Sequence, residues 1–365
     1  VALNHTTKGG LITFSLNVAP RIAYRKNASW DVFRNAGEAN PTTPIMDPKD
    51  PSLYYNFKGQ AAGYNPLALL KKDKSTGTTK LLDWDGTVKL NLLPLLLNKE
   101  DRQTLTTQLT FADHQYDNYN QWFRPSTSTL AINAGREGEA SQDYSKSAIR
   151  TLEWVTNYAN SFGNHNFKVM AGYSYQYEQY SGLNAANKDF PNDALEDNNL
   201  GSGTYAKDEG ELGMGSYKND SKLISFFGRV SYDWKGRYML TASLRHEGSS
   251  KFGEHHKWGN FPAISAGWRI SDEAFMAGTK SWLTDLKLRG DFGITGNQSF
   301  DSYRSLNTMS GFGYYLYNGK YYQVWGPGKN VNPDLRWVQG QNWNVGLDWT
   351  LFGGDLYGSF NYYSR

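Results

Sequence analysis

The sequence contains no cysteine, which excludes disulfides, thiolate metal sites and a cysteine nucleophile. The same absence suits an oxidising compartment, where stray thiols are a hazard. Long hydrophobic runs are missing too. Nothing approaches the ~20 apolar residues of a membrane-spanning helix, and mean hydropathy is −0.66. Net charge is small: 38 basic and 35 acidic residues leave +3, spread too evenly to follow a phosphate backbone, so no nucleic-acid partner is expected. No G-x-S-x-G elbow, Ser-His-Asp order or paired carboxylate motif occurs, and enzymatic chemistry is not expected. The chain opens on Val1 without a signal-peptide pattern and stops at Arg365 within the alternating run F-N-Y-Y-S-R. An interior stretch of a longer polypeptide is expected.

What is abundant is aromatic: 25 Tyr, 18 Phe and 12 Trp make up 15% of the residues. Richness in Tyr, Trp and Gly without continuous apolar sequence fits a membrane barrel that is apolar outside and polar inside. It also fits a soluble all-β protein with an aromatic core. Periodicity separates the two. In L-I-S-F-F-G-R-V-S-Y-D-W, Ile224, Phe226, Val230, Tyr232 and Trp234 take even positions, and Ser225, Arg229, Ser231 and Asp233 odd ones. That period of two specifies a strand with one apolar face. Lys235 and Gly236 interrupt it, and Tyr238, Leu240, Ala242 and Leu244 resume it, which predicts a β-hairpin. Each strand runs about ten to twelve residues, close to what a tilted strand needs to cross a bilayer.

The same alternation recurs along the chain, through Ile12–Tyr24, Leu82–Leu92, Leu105–Phe111, Phe167–Tyr177 and the segments beyond the hairpin. It predicts an all-β fold, a transmembrane antiparallel β-barrel wall of about eleven strands. Short and long connections alternate strictly, with long external loops expected at about 26–81, 113–148, 180–221 and 297–341. A soluble sandwich gives no reason for so long a loop at every second connection. The link after Ile270 has helical character.

Around the hairpin, Gly228–Val230, Arg245–Gly253, Phe261–Ile270 and Leu286–Gln298 form a series of motifs in order. It resembles the SusC/RagA-type TonB-dependent transporters of Bacteroidetes outer membranes. Asn40–Pro44, Gly163–Phe167, Asn332–Trp337 and Trp343–Asp348 agree more loosely, so the likeness covers most of the chain outside the loops. Glu247 stands where the family usually has Asp, and Val338 where an acidic residue is common. The resemblance implies a plugged barrel of about 22 strands, of which this chain supplies roughly half. It further implies import of oligosaccharides or peptides beneath a SusD-like surface lipoprotein, driven by TonB through an N-terminal region absent here. A passive porin, or a surface β-protein that only binds, is the alternative.

Aromatics near strand ends (Trp234, Tyr238, Trp268, Trp349, Tyr362) are expected at the membrane interface. Those in the long loops, Trp122, Phe123, Tyr314, Tyr315, Tyr321, Tyr322 and Trp325, are candidates for stacking on sugar or peptide cargo, or for packing loops against each other or a partner. Opposite the apolar stripe, Arg229, Arg245, Arg269, Lys287, Arg289 and Asp291 should face the lumen, to hydrogen-bond a plug or line a substrate path. No cofactor is expected. A loop calcium ion is weighed at Asp189, Asp193, Glu196 and Asp197, which lack the spaced Asp-x-Asp-x-Asp-Gly pattern. A metal site at Glu254, His255 and His256 is disfavoured because adjacent extended residues point apart. The Gly-rich run Gly201–Gly215 lacks the strand and helix that a nucleotide fingerprint requires.

Overall fold

A computed structural model describes residues 1–28, 31–96, 103–208 and 213–365. The chain forms β1 (Ala2–Thr6), β2 (Ile12–Lys26), β3 (Lys74–Asn91), β4 (Gln103–Arg124), β5 (Glu139–Phe162), β6 (His165–Lys188) and β7 (Met214–Trp234). These are followed by β8 (Tyr238–Ser249), β9 (Trp258–Arg269), β10 (Leu283–Asn297), β11 (Met309–Tyr317), β12 (Lys320–Pro327), β13 (Val338–Leu351) and β14 (Leu356–Ser364). All but β11 and β12 build one 12-stranded sheet in the order β1 to β10, then β13 and β14; β11 and β12 pair only with each other. Every pairing is antiparallel.

The hairpin at Lys235–Gly236 forms as its sequence predicts. Both residues take positive φ (57° and 67°), the type I′ geometry whose twist matches that of the flanking strands. Even positions pair with even ones across it, Val230 with Ala242 and Tyr232 with Leu240, so the apolar stripe stays on one face. That face is bare: Phe226 is 50%, Leu240 47% and Ile264 49% exposed. The sheet therefore has no interior core of its own. Buried apolar clusters lie at the end carrying the long connections, where these fold onto the strand tops.

Three expectations change. First, there are more strands than eleven: β1 is too short and exposed to show alternation, and β11–β12 fold inside a supposed loop. Second, the expected loops 26–81, 113–148, 180–221 and 297–341 shrink to connections 27–73, 125–138, 189–213 and 298–337. The strands reach 22 residues in β4, 24 in β5 and β6 and 21 in β7, twice the 12 of β8 and β9. Their extensions are polar on both faces and carry no apolar stripe. Third, the alternation of connection lengths is not strict. The link 270–282, wound into 3₁₀ turns at Ile270–Asp272 and Ala274–Thr279, is longer than the connection 250–257 at the opposite end. The charged link Asn98–Gln103 lies almost wholly outside the described residues.

The 27–73 connection is built on two buried asparagines. Asn65 caps the helix Pro66–Lys72, accepting from the Leu67 and Ala68 amides at 3.0 and 3.2 Å. Its own amide donates to the carbonyls of Ile45 and Tyr55 at 2.8 and 3.1 Å, tying three parts of the loop to one side chain. Asn35 likewise accepts from the Tyr64 amide at 3.1 Å and donates to Asp31 O at 2.7 Å.

Candidate functional site

Two rows of rings cross the apolar face. At the short-turn end Tyr238 stacks between Trp234 and Trp268, with ring centroids 5.5 and 6.4 Å away. Trp349 lies at the same end, beside Leu286 and Gly358. Nearer the loops, Phe226 contacts Tyr173 at 5.2 Å and Trp258 at 6.4 Å, and Trp258 stacks on His246 at 4.6 Å. Tyr362 lies 5.3 Å from Trp343 on the neighbouring strand. From Trp234 to Phe226 the strand advances eight residues, about 26 Å along its axis and about 20 Å in height at the usual barrel tilt. An apolar band of that height between aromatic rows is the pattern of a bilayer-spanning barrel.

Glu273, in the 270–282 link, was not singled out by sequence, which offers no spacing to mark it. It accepts from Tyr238 Oη, from Trp268 Nε1 at 2.9 Å and from Arg237 at 3.0 Å. These bonds, the tyrosine's first, hold its carboxyl below the usual range and fix the row of rings by their polar tips.

The opposite face carries the six polar candidates. Arg289 pairs with Asp348 at 3.0 Å and donates to Asn361 at 2.6 Å; Asp291 accepts from Asn344 at 3.1 Å. Arg269 lies 3.3 Å from Asp285, which also accepts from Ser271 at 2.9 Å. Arg245 donates to Glu247 at 2.6 Å and to Ser225 at 2.8 Å, and lies over the Phe227 ring at 5.5 Å. Glu247, the departure from the family motif, is thus the acceptor of a small polar knot. Arg229 and Lys287 have no ion pair among the described residues. Residues at this face form a ladder between neighbouring strands rather than one convergent pocket.

The aromatic candidates divide. Trp122 and Phe123 are not in a loop: both belong to β4, and alternation sends them to opposite faces. Phe123 is buried against Ala140 and Phe190, fastening the 189–208 segment to the strand tops, while Trp122 takes the Arg124 guanidinium over its ring at 4.7 Å. Tyr314, Tyr315, Tyr321, Tyr322 and Trp325 lie on the β11–β12 hairpin, turned by Asn318–Gly319 with positive φ at both. Tyr315 pairs with Tyr322 and stacks toward Tyr317 at 6.5 Å. Tyr314, Tyr321 and Trp325 share the other face. All five are exposed.

The four weighed calcium ligands diverge, each to partners of its own. Asp189 pairs with Arg136 at 2.9 Å, Asp193 accepts from Ser126, Glu196 pairs with Lys74 and Asp197 accepts from Gln121 and Gln142. They pin a loop to strand ends. His256 lies 3.7 Å from Asp334, and among the described residues no three such groups converge. Of the Gly201–Gly215 run, 209–212 lie outside the described residues; Leu200–Ser202 and Tyr205–Asp208 are single turns.

The family-like motifs meet in space. Phe252 of the 245–253 motif packs on Trp337 of the 332–337 motif at 4.5 Å, and Phe261 closes on the same indole at 5.1 Å. Trp337 Nε1 donates to Lys257 O at 3.0 Å. Gly253 is required there, because a Cβ would stand 1.7 Å from Pro333 O.

Residues 23–365 match the family described as TonB dependent receptor-like, beta-barrel. TonB-dependent receptor P39 of Formosa agariphila is 36% identical over 88% of the chain and 29% of its own length. TonB-dependent receptor SusC of Bacteroides thetaiotaomicron is 26% identical over 100% of the chain and 39% of its own. A solved structure of the RagAB peptide transporter superposes with a TM-score of 0.75 at 18% identity, covering 99% of the chain and 39% of that structure's chain. The chain thus spans well under half the length of each relative. It belongs to the TonB-dependent receptor β-barrel family, as a SusC/RagA-type member.

Proposed function

We propose that this chain is part of the wall of an outer-membrane, TonB-dependent importer that takes up oligosaccharides or peptides with a SusD-like surface lipoprotein. The observation that carries the reading is the sheet's two-sidedness. One face is bare, apolar and bounded by two aromatic rows, and the other is a ladder of ion pairs and amides. Water on the first face is unfavourable and lipid on it is favourable, which supports reading the second face as the lumen. Arg229 and Lys287, which have no ion pair among the described residues, are available to a plug or to passing cargo. The β11–β12 rings at the loop end supply flat apolar surface of the kind that binds sugar rings or peptide side chains. No bond-making step belongs to this chain. In the reading, energy enters through TonB acting on regions outside it.

The test is uptake by cells that carry the intact protein, using labelled oligosaccharide and peptide pools, with and without TonB and with the proton-motive force collapsed. Accumulation that needs both supports the importer. Uptake indifferent to both would identify a passive pore instead, and binding without uptake a surface receptor.

A further inference from the structure

Beyond the apolar band, the long strands β4 to β7 continue as a wall whose two faces differ. The chain folds its own loops onto the outer one. Phe190 packs on Phe123 and Ala140, Asp197 accepts from Gln121 and Gln142, Glu196 pairs with Lys74 and Tyr303 donates to Asp220. Register through these strands has no bulge, so every strand residue in those contacts shares the side of Trp154 and Phe226. The opposite side, that of Arg229, carries two neighbouring rows. One holds Tyr116, Ser147, Tyr180 and Asn219, and the next holds Asn118, Ser145, Gly182 and Tyr217. Tyr116 and Tyr180 stand two strand spacings apart, about 10 Å, with the small Ser147 between them. Tyr217 lies across Gly182, where a Cβ would stand 2.5 Å from its ring. The result is a trough with a floor of serine and glycine and walls of tyrosine.

Tyr116, Tyr180 and Tyr217 are exposed, and among the described residues no side chain stacks on them or hydrogen-bonds their hydroxyls. On the outer face, by contrast, Tyr144 donates to Asp117 at 3.1 Å. Charge stays at the margins of the trough. Glu178, one row below, accepts from Gln176 at 2.6 Å and from Ser221 at 3.2 Å, and Asp143 stands one row above Ser145. Arg25 reaches in from β2 and donates to Asn118 at 2.7 Å, and His114 lies 3.0 Å from Asp83. We propose that the trough is a subsite for a neutral oligosaccharide and helps to select the cargo of the importer. A sugar ring offers an apolar face to a tyrosine and a rim of hydroxyls that both donate and accept, which the serines and the Asn219 amide match. Acidic cargo would meet Asp143 and Glu178 and is selected against. A peptide brings charged termini, and the two rows hold no charged partner for them.

The inference rests on the importer reading and is tested apart from it. The intact protein, purified in a polyoxyethylene detergent, is titrated calorimetrically with maltohexaose, cellohexaose, laminarihexaose and mannohexaose, and with hexagalacturonate and hexaalanine. A neutral hexasaccharide should bind saturably, and the acidic sugar and the peptide should not. Y116A/Y180A/Y217A should weaken that binding roughly tenfold or more. Y116F/Y180F/Y217F, which keeps the rings, should recover most of the loss, and Tyr144→Ala on the outer face should match the parent. If the triple alanine variant does not fold, Tyr180→Ala and Tyr217→Ala are read singly, each expected to weaken binding roughly threefold or more. Unchanged affinity in the alanine variants, or no neutral hexasaccharide bound by the parent, overturns the subsite. Hexagalacturonate or hexaalanine held as tightly through the same tyrosines overturns the neutral-saccharide assignment. Uptake that needs neither TonB nor the proton-motive force defeats the importer reading and leaves these affinities unchanged.

Discussion

Replacing Val230 with arginine tests the face assignment where it is most exposed to failure. Val230 lies midway along β7 between Phe226 and Trp234, about 10 Å in height from each aromatic row, with its side chain on the apolar face beside Val169 and Ala242. At the bilayer midplane an arginine costs about 2 to 4 kcal/mol, falling to about 0 to 1 near the interfaces. Leu288 pairs with Trp268 of the lower row, so Leu288→Arg should fall in the second class despite being on the same face. Ser231→Arg, one residue from Val230 but on the polar face, should change stability by about 0.5 kcal/mol or less. The assay is equilibrium urea unfolding in lipid vesicles, read by tryptophan fluorescence and by heat-modifiable migration on gels. The expected order of destabilisation is Val230→Arg, then Leu288→Arg, then Ser231→Arg. Equal values for Val230→Arg and Ser231→Arg would refute the assignment, and equal values for Val230→Arg and Leu288→Arg would refute the placement of the band.

Other outcomes follow from the loop end and the turn end. Phe252→Ala should cost about 3 to 5 kcal/mol locally, as for large buried aromatics, and appear as faster proteolysis within 298–337 with the strands intact. Gly253→Ala must push Pro333 away and should open the same segment, overpacking of this kind costing about 1 to 3 kcal/mol; unchanged cleavage would refute the contact. For Glu273, the folded carboxyl titrates below its ordinary value of about 4.3 because Tyr238 and Trp268 donate to the anion. Its contribution is therefore complete above that ordinary value and is lost as pH falls through the lowered one. Tryptophan fluorescence of the parent should change over that acidic window, and Glu273→Gln should flatten the change.

Most of the wall was legible because a strand with water or a lumen on one side and apolar surroundings on the other must alternate. Legibility failed where that contrast vanishes. In 139–150, E-A-S-Q-D-Y-S-K-S-A-I-R, both faces are polar, and the upper half of β5 reads as loop. In β11–β12 both faces are aromatic, so the run around Tyr314–Tyr317 shows no period, although Asn318–Gly319 between two tyrosine-rich stretches is a hairpin signal by itself. Parity puts the polar candidates on one face, and the register between strands keeps them there. Their partners were not readable, since Arg289 meets Asp348 and Asn361 through register between strands distant in sequence. Glu273 stayed hidden for the same reason: its three donors come from β8, β9 and the turn before β8. Phe123 was misplaced because its burial comes from a loop folding back, which no local pattern encodes.

The order of the sheet bears on how the wall assembles. Within the 12-stranded sheet each strand pairs with its predecessor in sequence except β13, which must find β10 across residues 298–337. That search is shorter than it looks, because β11 and β12 close on themselves and bring Met309 beside Pro327. What must be closed is then two short free arms rather than the whole insertion, and the entropy of closure rises only with the logarithm of that length. The Asn65 hub shortens the 27–73 connection in the same way. Zippering can therefore start at the two-residue turn between β5 and β6 and spread to both sides, with the long insertions folding early as spacers that set register instead of delaying it.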